Sequence, residues 1–590
     1  MTNNFQKRAN NLLNQGIEQV QAGQLQPALQ YWQEALLLYQ QIDDRQGEAI
    51  TLLNLGNVCR DLNQYPQAIE FLEQALSIFR YSSELQGETN ALMLLGGIRY
   101  NSHQWKAAIE YYQQALRPVQ LLSDRDTESR ALTSIGNAYV NLEQFQQALA
   151  SYQQALPIFR SRGDRQGEAN VLQYQGTAYY SFGQPQKAIE CYQQALLLYQ
   201  AIGEYAESAK VVTNLGNAFV NIHQFQQAID CYQQAIIIFQ QIGDSYTVAS
   251  VLANLGMAYL NVNQFQQAVE SYRAAIPIFE HFGDFQSLAF CCDQALSIYQ
   301  QLDDRLEEAN TLICQGWAYN NLSQYARAIE CYQKALPILR MLKLRYEEGT
   351  ALNRLGIAYD NIGQYQQAID FYQQALPVFQ EIDAQRDVAS VLTNLGIVHD
   401  NLKCYQQAIE FYQQALQIER QVGTRQGEAS VLINLGVPYR RIAQFQEALA
   451  CYLEALPMVQ QMCNKREEAM VLTNLGNVYL DLKQPLLSVE YYQKALLIYR
   501  EAGDRLSSGM VLSNLGRLML QQNQLKAAES YFDEMVAVRE SIRAELRELP
   551  VAQQQTFLNE IAKDYQDYAR LLQVSSQYSK AQQILDLLNI

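Results

Sequence analysis

Apolar and polar residues follow two nested rhythms in this chain. Within Glu207–Tyr246 the apolar residues recur three and four apart, the spacing that gathers them on one helical face. Leu215, Gly216 and Phe219 make one such face, and Ala228, Tyr232 and Ala235 make the next. The polar break Asn221-Ile222-His223 separates them, and Gly243-Asp244 closes the stretch. The pattern predicts a helix A of about sixteen residues followed by a helix B.

The larger rhythm is the return of this pair every 40 residues. The glycine falls at Gly16, Gly56, Gly96, Gly136, Gly176, Gly216 and Gly256, then at Gly316, Gly356, Gly396, Gly436, Gly476 and Gly516, which makes thirteen units. With the glycine as origin, Leu stands at −4 (Leu52, Leu132, Leu252, Leu392, Leu472) and an aromatic at +3 (Tyr139, Tyr179, Phe219, Tyr259). Helix B carries Ala at +12, an aromatic at +16 and Ala at +19, as in Ala148, Tyr152 and Ala155. The glycine and alanines allow A and B to approach closely, and the aromatic fills the space between. Pro157, Pro277, Pro337, Pro377 and Pro457, at +21, should bend the last turns of their helices.

A fixed period overrides the length-based expectation of several separate domains, because repeats stack into one array. The fold class predicted is all-α, a solenoid of antiparallel helix pairs. Residues 1–283 hold seven units and residues 307–546 hold six. Between Gly256 and Gly316 the step is 60, and Phe285–Gln300 aligns with a helix B that no helix A precedes. Residues 284–306 are therefore expected to be an unpaired B-like helix and a break in the array. Residues 547–590 read as degenerate terminal helices, with Ala569 in the glycine's place.

The net charge of −17 argues against non-specific binding of nucleic acid or of an anionic membrane. No stretch approaches the roughly 18–20 apolar residues of a membrane span. The polar start, Met1–Arg8, lacks the apolar run of a signal peptide, so the expected location is the cytoplasm. None of the ten cysteines forms a CxxC pair. Cys191, Cys231, Cys331 and Cys451 share position +15 and read as small packing residues. The four histidines stand in distant units, with no HExxH and no phosphate-binding loop. No catalytic residue, metal, cofactor or small-molecule substrate is expected.

Asparagines supply the leading candidate site. Asn214, Asn217 and Asn221 form one stripe of a helix A. The first column recurs at Asn54, Asn254 and Asn394, the second at Asn57, Asn137 and Asn477, the third at Asn141, Asn361 and Asn401. Each amide both donates and accepts, so a row of them suits the backbone of an extended peptide. Bonds to a neighbouring helix, or a capping role, are the structural alternative. Arg60, Arg130, Lys210, Arg440 and Arg517, with Arg441 beside Arg440, would suit an acidic partner segment, and Trp317 and Tyr180 would serve as aromatic anchors. Scattered solvated charge and ordinary packing remain the alternatives there.

Leu, Gly, Tyr, Ala, aromatic and Ala at these spacings resemble the tetratricopeptide repeat (TPR) over residues 4–546 with one gap. The 40-residue period resembles the longer variant of kinesin light chains and of spindle-orienting adaptors. The resemblance implies a right-handed superhelix whose A helices line a concave groove for extended peptides or helices, with groove asparagines holding the peptide. Arg99, Pro185, Pro485 and Pro438 depart from the pattern. The tail, Leu546–Phe557 and Ala581–Leu588, resembles the junction of cyanobacterial TPR proteins that continue into CHAT, a caspase-like module with a His–Cys dyad. Residues 1–590 contain none of that module, so no catalytic residue carries over. The expected function is a non-enzymatic protein-interaction scaffold that binds peptide or helical segments. Two alternatives are the recognition arm of a CHAT protease and an RNA-binding repeat, the latter opposed by the charge.

Overall fold

A computed structural model describes residues 2–546 and 551–588, so Arg547–Pro550 of the tail motif lie outside the described residues. All regular structure among the described residues is helical. Contacts divide the chain into two compact units, Met1–Ile298 and Tyr299–Ile590. Each is a succession of A and B helices, such as Tyr205–Asn221 with Phe225–Ile242 in the first and Arg345–Asn361 with Tyr365–Glu381 in the second.

Two kinds of turn alternate. After an A helix, a residue with positive φ ends the helix, as at His223 (φ 59°), and the amide of Gln224 donates to the carbonyl of Phe219 at 2.9 Å. After a B helix, the left-handed residue is often glycine, as at Gly243 (φ 78°), where only glycine escapes the Cβ penalty. An aspartate then caps the next A helix. Asp124, Asp164 and Asp244 in the first unit accept from Thr127, Gly167 and Thr247 amides, and Asp304 and Asp504 do the same in the second.

The origin glycine has a steric reason. A Cβ on Gly216 would stand 2.5 Å from Cε1 of Tyr232, and one on Gly356 would stand 2.4 Å from that of Tyr372. The +16 ring thus lies directly on the bare backbone of helix A. Ala228, Ala235, Ala368 and Ala375 are fully buried beside these rings. The B helices run on past their +21 prolines, as Phe145–Arg162 does through Pro157.

From Leu25 to Leu525 a helix begins every 20 residues. The 60-residue step between Gly256 and Gly316 leaves this backbone period intact, and one helix, Phe285–Leu302, fills the gap. Its sequence aligns with a B helix, but its start is that of an A helix, because Asp284 accepts from the Ser287 amide at 3.1 Å. It buries Ala289, Cys291 and Ile298, the places an A helix buries, and also Tyr299, where a B helix buries its second aromatic. The boundary between the two compact units falls within it.

At the other end, Val551–Val574 and Tyr578–Asp586 pack as a last pair. Ala569 and Ala581 are buried, and Tyr568 stacks on Phe532 with centroids 5.3 Å apart. Asp564 is buried there and accepts from Ser513, Arg517 and Arg539.

Candidate peptide-binding face

Consecutive A helices share one open face in each unit. A cavity of about 300 Å³ in the first unit is lined by Asn54 and Asn57, by Asn90 and Met93, and by Thr127 and Arg130 from three successive A helices. A cavity of about 350 Å³ in the second unit is lined by Trp317 and Asn320, by Thr350, Arg354 and Ile357, and by Asp387. Relative to each glycine these are positions −9, −6, −3, −2, +1 and +4, one stripe of a helix. The two cavities therefore identify the same face. Four of the sequence-predicted residues, Asn54, Asn57, Arg130 and Trp317, line it directly.

Asn217 is not left over on the open side of its helix, as the repeat pattern alone implies. Its Oδ1 accepts from the hydroxyl of the buried Tyr232 at 2.7 Å. Asn137 accepts from Tyr152 at 2.6 Å and Asn477 from Tyr492 at 2.7 Å. The +16 phenol reaches across the glycine and ends at +1. Thr177 meets Tyr192 in the same way at 3.2 Å. Where +1 is Met257, the Tyr272 hydroxyl is buried without a partner. Asn57 faces Leu72 in the equivalent place, a side chain with no hydroxyl. Each phenol takes up its asparagine's oxygen, and the amide hydrogens keep their capacity to donate.

The other predicted residues are placed as follows. Asn214 is half-buried and Asn221 is exposed. Asn141, in the column of Asn221, donates to the Tyr100 hydroxyl one unit earlier at 2.8 Å, and Asn361 and Asn401 likewise reach back to Asn320 and Asp360. Most of the predicted cations stand by a carboxylate: Arg60 meets Asp61, Arg130 meets Asp126 at 3.7 Å, though Arg162 meets the same carboxylate at 2.7 Å, and Lys210 meets Glu207 at 2.7 Å. Arg440 pairs with Asp481, and Arg517 with Asp564 and Asp567. Arg517 thus helps to fasten the terminal pair.

Three carboxylates that the sequence did not single out sit on the second unit's A helices. Burial raises the carboxyls of Asp360, Asp387 and Asp400 above their usual range, opposed by an Asn401 hydrogen bond at Asp360 and by the charge of Arg441 at Asp400. Reading the −9 and +4 columns down the chain would have found them. Three of the cysteines at +15 are not poised as nucleophiles. Burial, helped by neighbouring carboxylates, pushes the thiols of Cys191 and Cys231 up to about 11 and that of Cys451 to about 12. Among the described residues no group of His, Cys, Asp and Glu is placed to hold a metal ion, and no helix is long and apolar enough to cross a membrane.

Several solved structures are similar. BtubC (BKLC) from P. vanneervenii is 24% identical with a TM-score of 0.33, over 37% of this chain and 91% of that one. The apo form of RapI is 15% identical with a TM-score of 0.37, over 50% of this chain and 99% of that one. The APC/C hetero-tetramer Cut9-Hcn1 gives 18% and 0.35, over 83% of this chain and 93% of that one. No curated protein matches the chain. The tetratricopeptide repeat model matches residues 8–80, 88–161, 128–201, 205–281, 319–381, 387–461 and 467–541, and the chain belongs to the tetratricopeptide repeat family.

Proposed function

We propose that the A-helix face holds peptide or helical segments of partner proteins, and that the chain works as a non-enzymatic scaffold. Tetratricopeptide repeat proteins act as protein-interaction scaffolds. The observation that carries the finer reading is the phenol-fixed amide at Asn137, Asn217 and Asn477. A donor held at a set angle by the core loses little freedom when a peptide carbonyl meets it. In the first unit Arg130 and Lys210 add cations whose present partners, Asp126 and Glu207, are solvent-exposed or half-buried. Such pairs are worth about 0–1 kcal/mol, so the carboxylate of an acidic partner segment can replace them.

Asparagine-to-aspartate substitution tests this. Asn137→Asp, Asn217→Asp and Asn477→Asp keep an acceptor for each phenol and remove the amide donors. Capture of a native partner, scored by crosslinking and mass spectrometry, should fall while the thermal melt stays nearly unchanged. Undiminished capture, or crosslinks confined to the B helices, would sink the reading.

A further inference from the structure

The second unit's face differs from the first in a way that specifies a partner. At +1 the first unit is mixed, with Asn57, Asn137 and Asn217 beside Ile17 and Met257, whereas the second carries Trp317, Ile357, Ile397 and Val437 in succession before Asn477 and Arg517. The four apolar residues from Trp317 to Val437 are half-buried, with part of each side chain in solvent. They make an apolar stripe across four units. At −9 the first unit has one acid, Glu207, whereas the second has Glu307, Glu347, Asp387 and Glu467, with Gly427 interrupting the row. Asp387 lines the same cavity as Trp317 and Ile357. Asp360 and Asp400 stand at +4, on the other side of the stripe.

Two carboxylate oxygens in these rows, Oε2 of Glu467 and Oδ1 of Asp400, are buried without a hydrogen-bond partner. A desolvated acceptor left unpaired is costly, and an incoming donor recovers that cost. The cations of this face offset the acids only in part. Arg440 is taken by Asp481, Arg354 lies 5.7 Å from the Trp317 ring centroid, and Arg441 faces Asp400. Arg386 and Arg466 stand one place before the acidic column, exposed at the rim.

We infer that the face from Trp317 to Val437 binds a cationic amphipathic segment of a partner protein, its apolar side chains on the +1 stripe and its lysines or arginines on the flanking carboxylates. This rests on the A-helix face being the binding face and adds the chemistry of one occupant. An acidic segment would meet repulsion along both edges, and a purely polar one would leave the stripe wet.

The test uses the full chain and three fluorescent helical peptides of about 18 residues, long enough to lie across several A helices. One carries Leu on one face and Lys on the other, the second has Glu for Lys, and the third has Ser for Leu. By anisotropy at about 0.15 M salt the Leu/Lys peptide should bind at least about tenfold more tightly than either analogue. Ile357→Gln with Ile397→Gln should weaken it about tenfold. Glu347→Gln, Asp387→Asn and Glu467→Gln together should weaken it about fivefold or more and flatten its salt dependence. Should the isoleucine variant not fold, the carboxylate variant still decides. Equal binding of the Ser/Lys peptide, equal binding of the Leu/Glu peptide, no binding at all, or indifference to both variants would each overturn the inference. If it fails while the asparagine-to-aspartate variants still lose their native partner, the general reading of the face stands.

Discussion

In the Gly216 unit the residue after the glycine is Asn217, and in the Gly396 unit it is Ile397. Behind both, the same tyrosine lies on the same bare backbone, with Tyr232 and Tyr412 Cε1 each 2.5 Å from where a Cβ would be. The core of one unit is therefore interchangeable with that of another. The row in front of it is not. Packing constrains −4, the origin, +12, +16 and +19, and it holds Gly47, Gly87 and Gly167 at −9 against an aromatic of the preceding B helix, while +1 and +4 vary more widely. From Gly56 to Gly216 the +1 place holds three amides among its five residues, and from Gly316 to Gly436 it holds apolar side chains throughout.

If the cores are equivalent, damage to them should be equal. Gly216→Ala and Gly356→Ala each force a methyl into a buried ring, and each should cost about 1–3 kcal/mol, read as a fall in the denaturation midpoint. A clear inequality would break the equivalence. The +1 column offers a finer probe. Asn217→Ala strips the acceptor from Tyr232 and should cost about 1–2 kcal/mol. Met257→Asn does the reverse, giving the unpartnered Tyr272 hydroxyl an acceptor, and should raise stability by about 1 kcal/mol. Met257 is 38% exposed, so its removal gives up little burial.

The smallest effect concerns the caps, which both units share. Asp124→Ala and Asp504→Ala should each cost about 1 kcal/mol. Hydrogen bonds from Thr127 hold the Asp124 carboxyl below its usual value. Its contribution is therefore complete above the unfolded pKa, about 4, and is lost as pH falls through the lower folded one. Wild type should lose stability relative to Asp124→Ala in acid, so that the two melts converge below about pH 4.

The repeat itself was legible from a single chain, because Gly, Ala and aromatic residues recur wherever a close helix contact demands them. The A-to-B turn was harder. His223, Lys403 and Ala443 hold positive φ without the glycine that usually marks it. Asn217 could be placed on its stripe from spacing, but not paired, since its phenol lies 15 residues away on the other helix. The acids Asp360, Asp387 and Asp400 went unnoticed because acidic residues are common on helix surfaces, and only burial sets these apart.

The helix Phe285–Leu302 shows that the chain has a smaller unit of account than its repeat. Side chains repeat every 40 residues, but helix starts repeat every 20, and this helix joins an A-type cap to a B-type end. Gain or loss of sequence in steps of twenty leaves every turn in register, whereas any other step misplaces all that follow. A chain built this way can gain or lose a single helix without disturbing the turns beyond it.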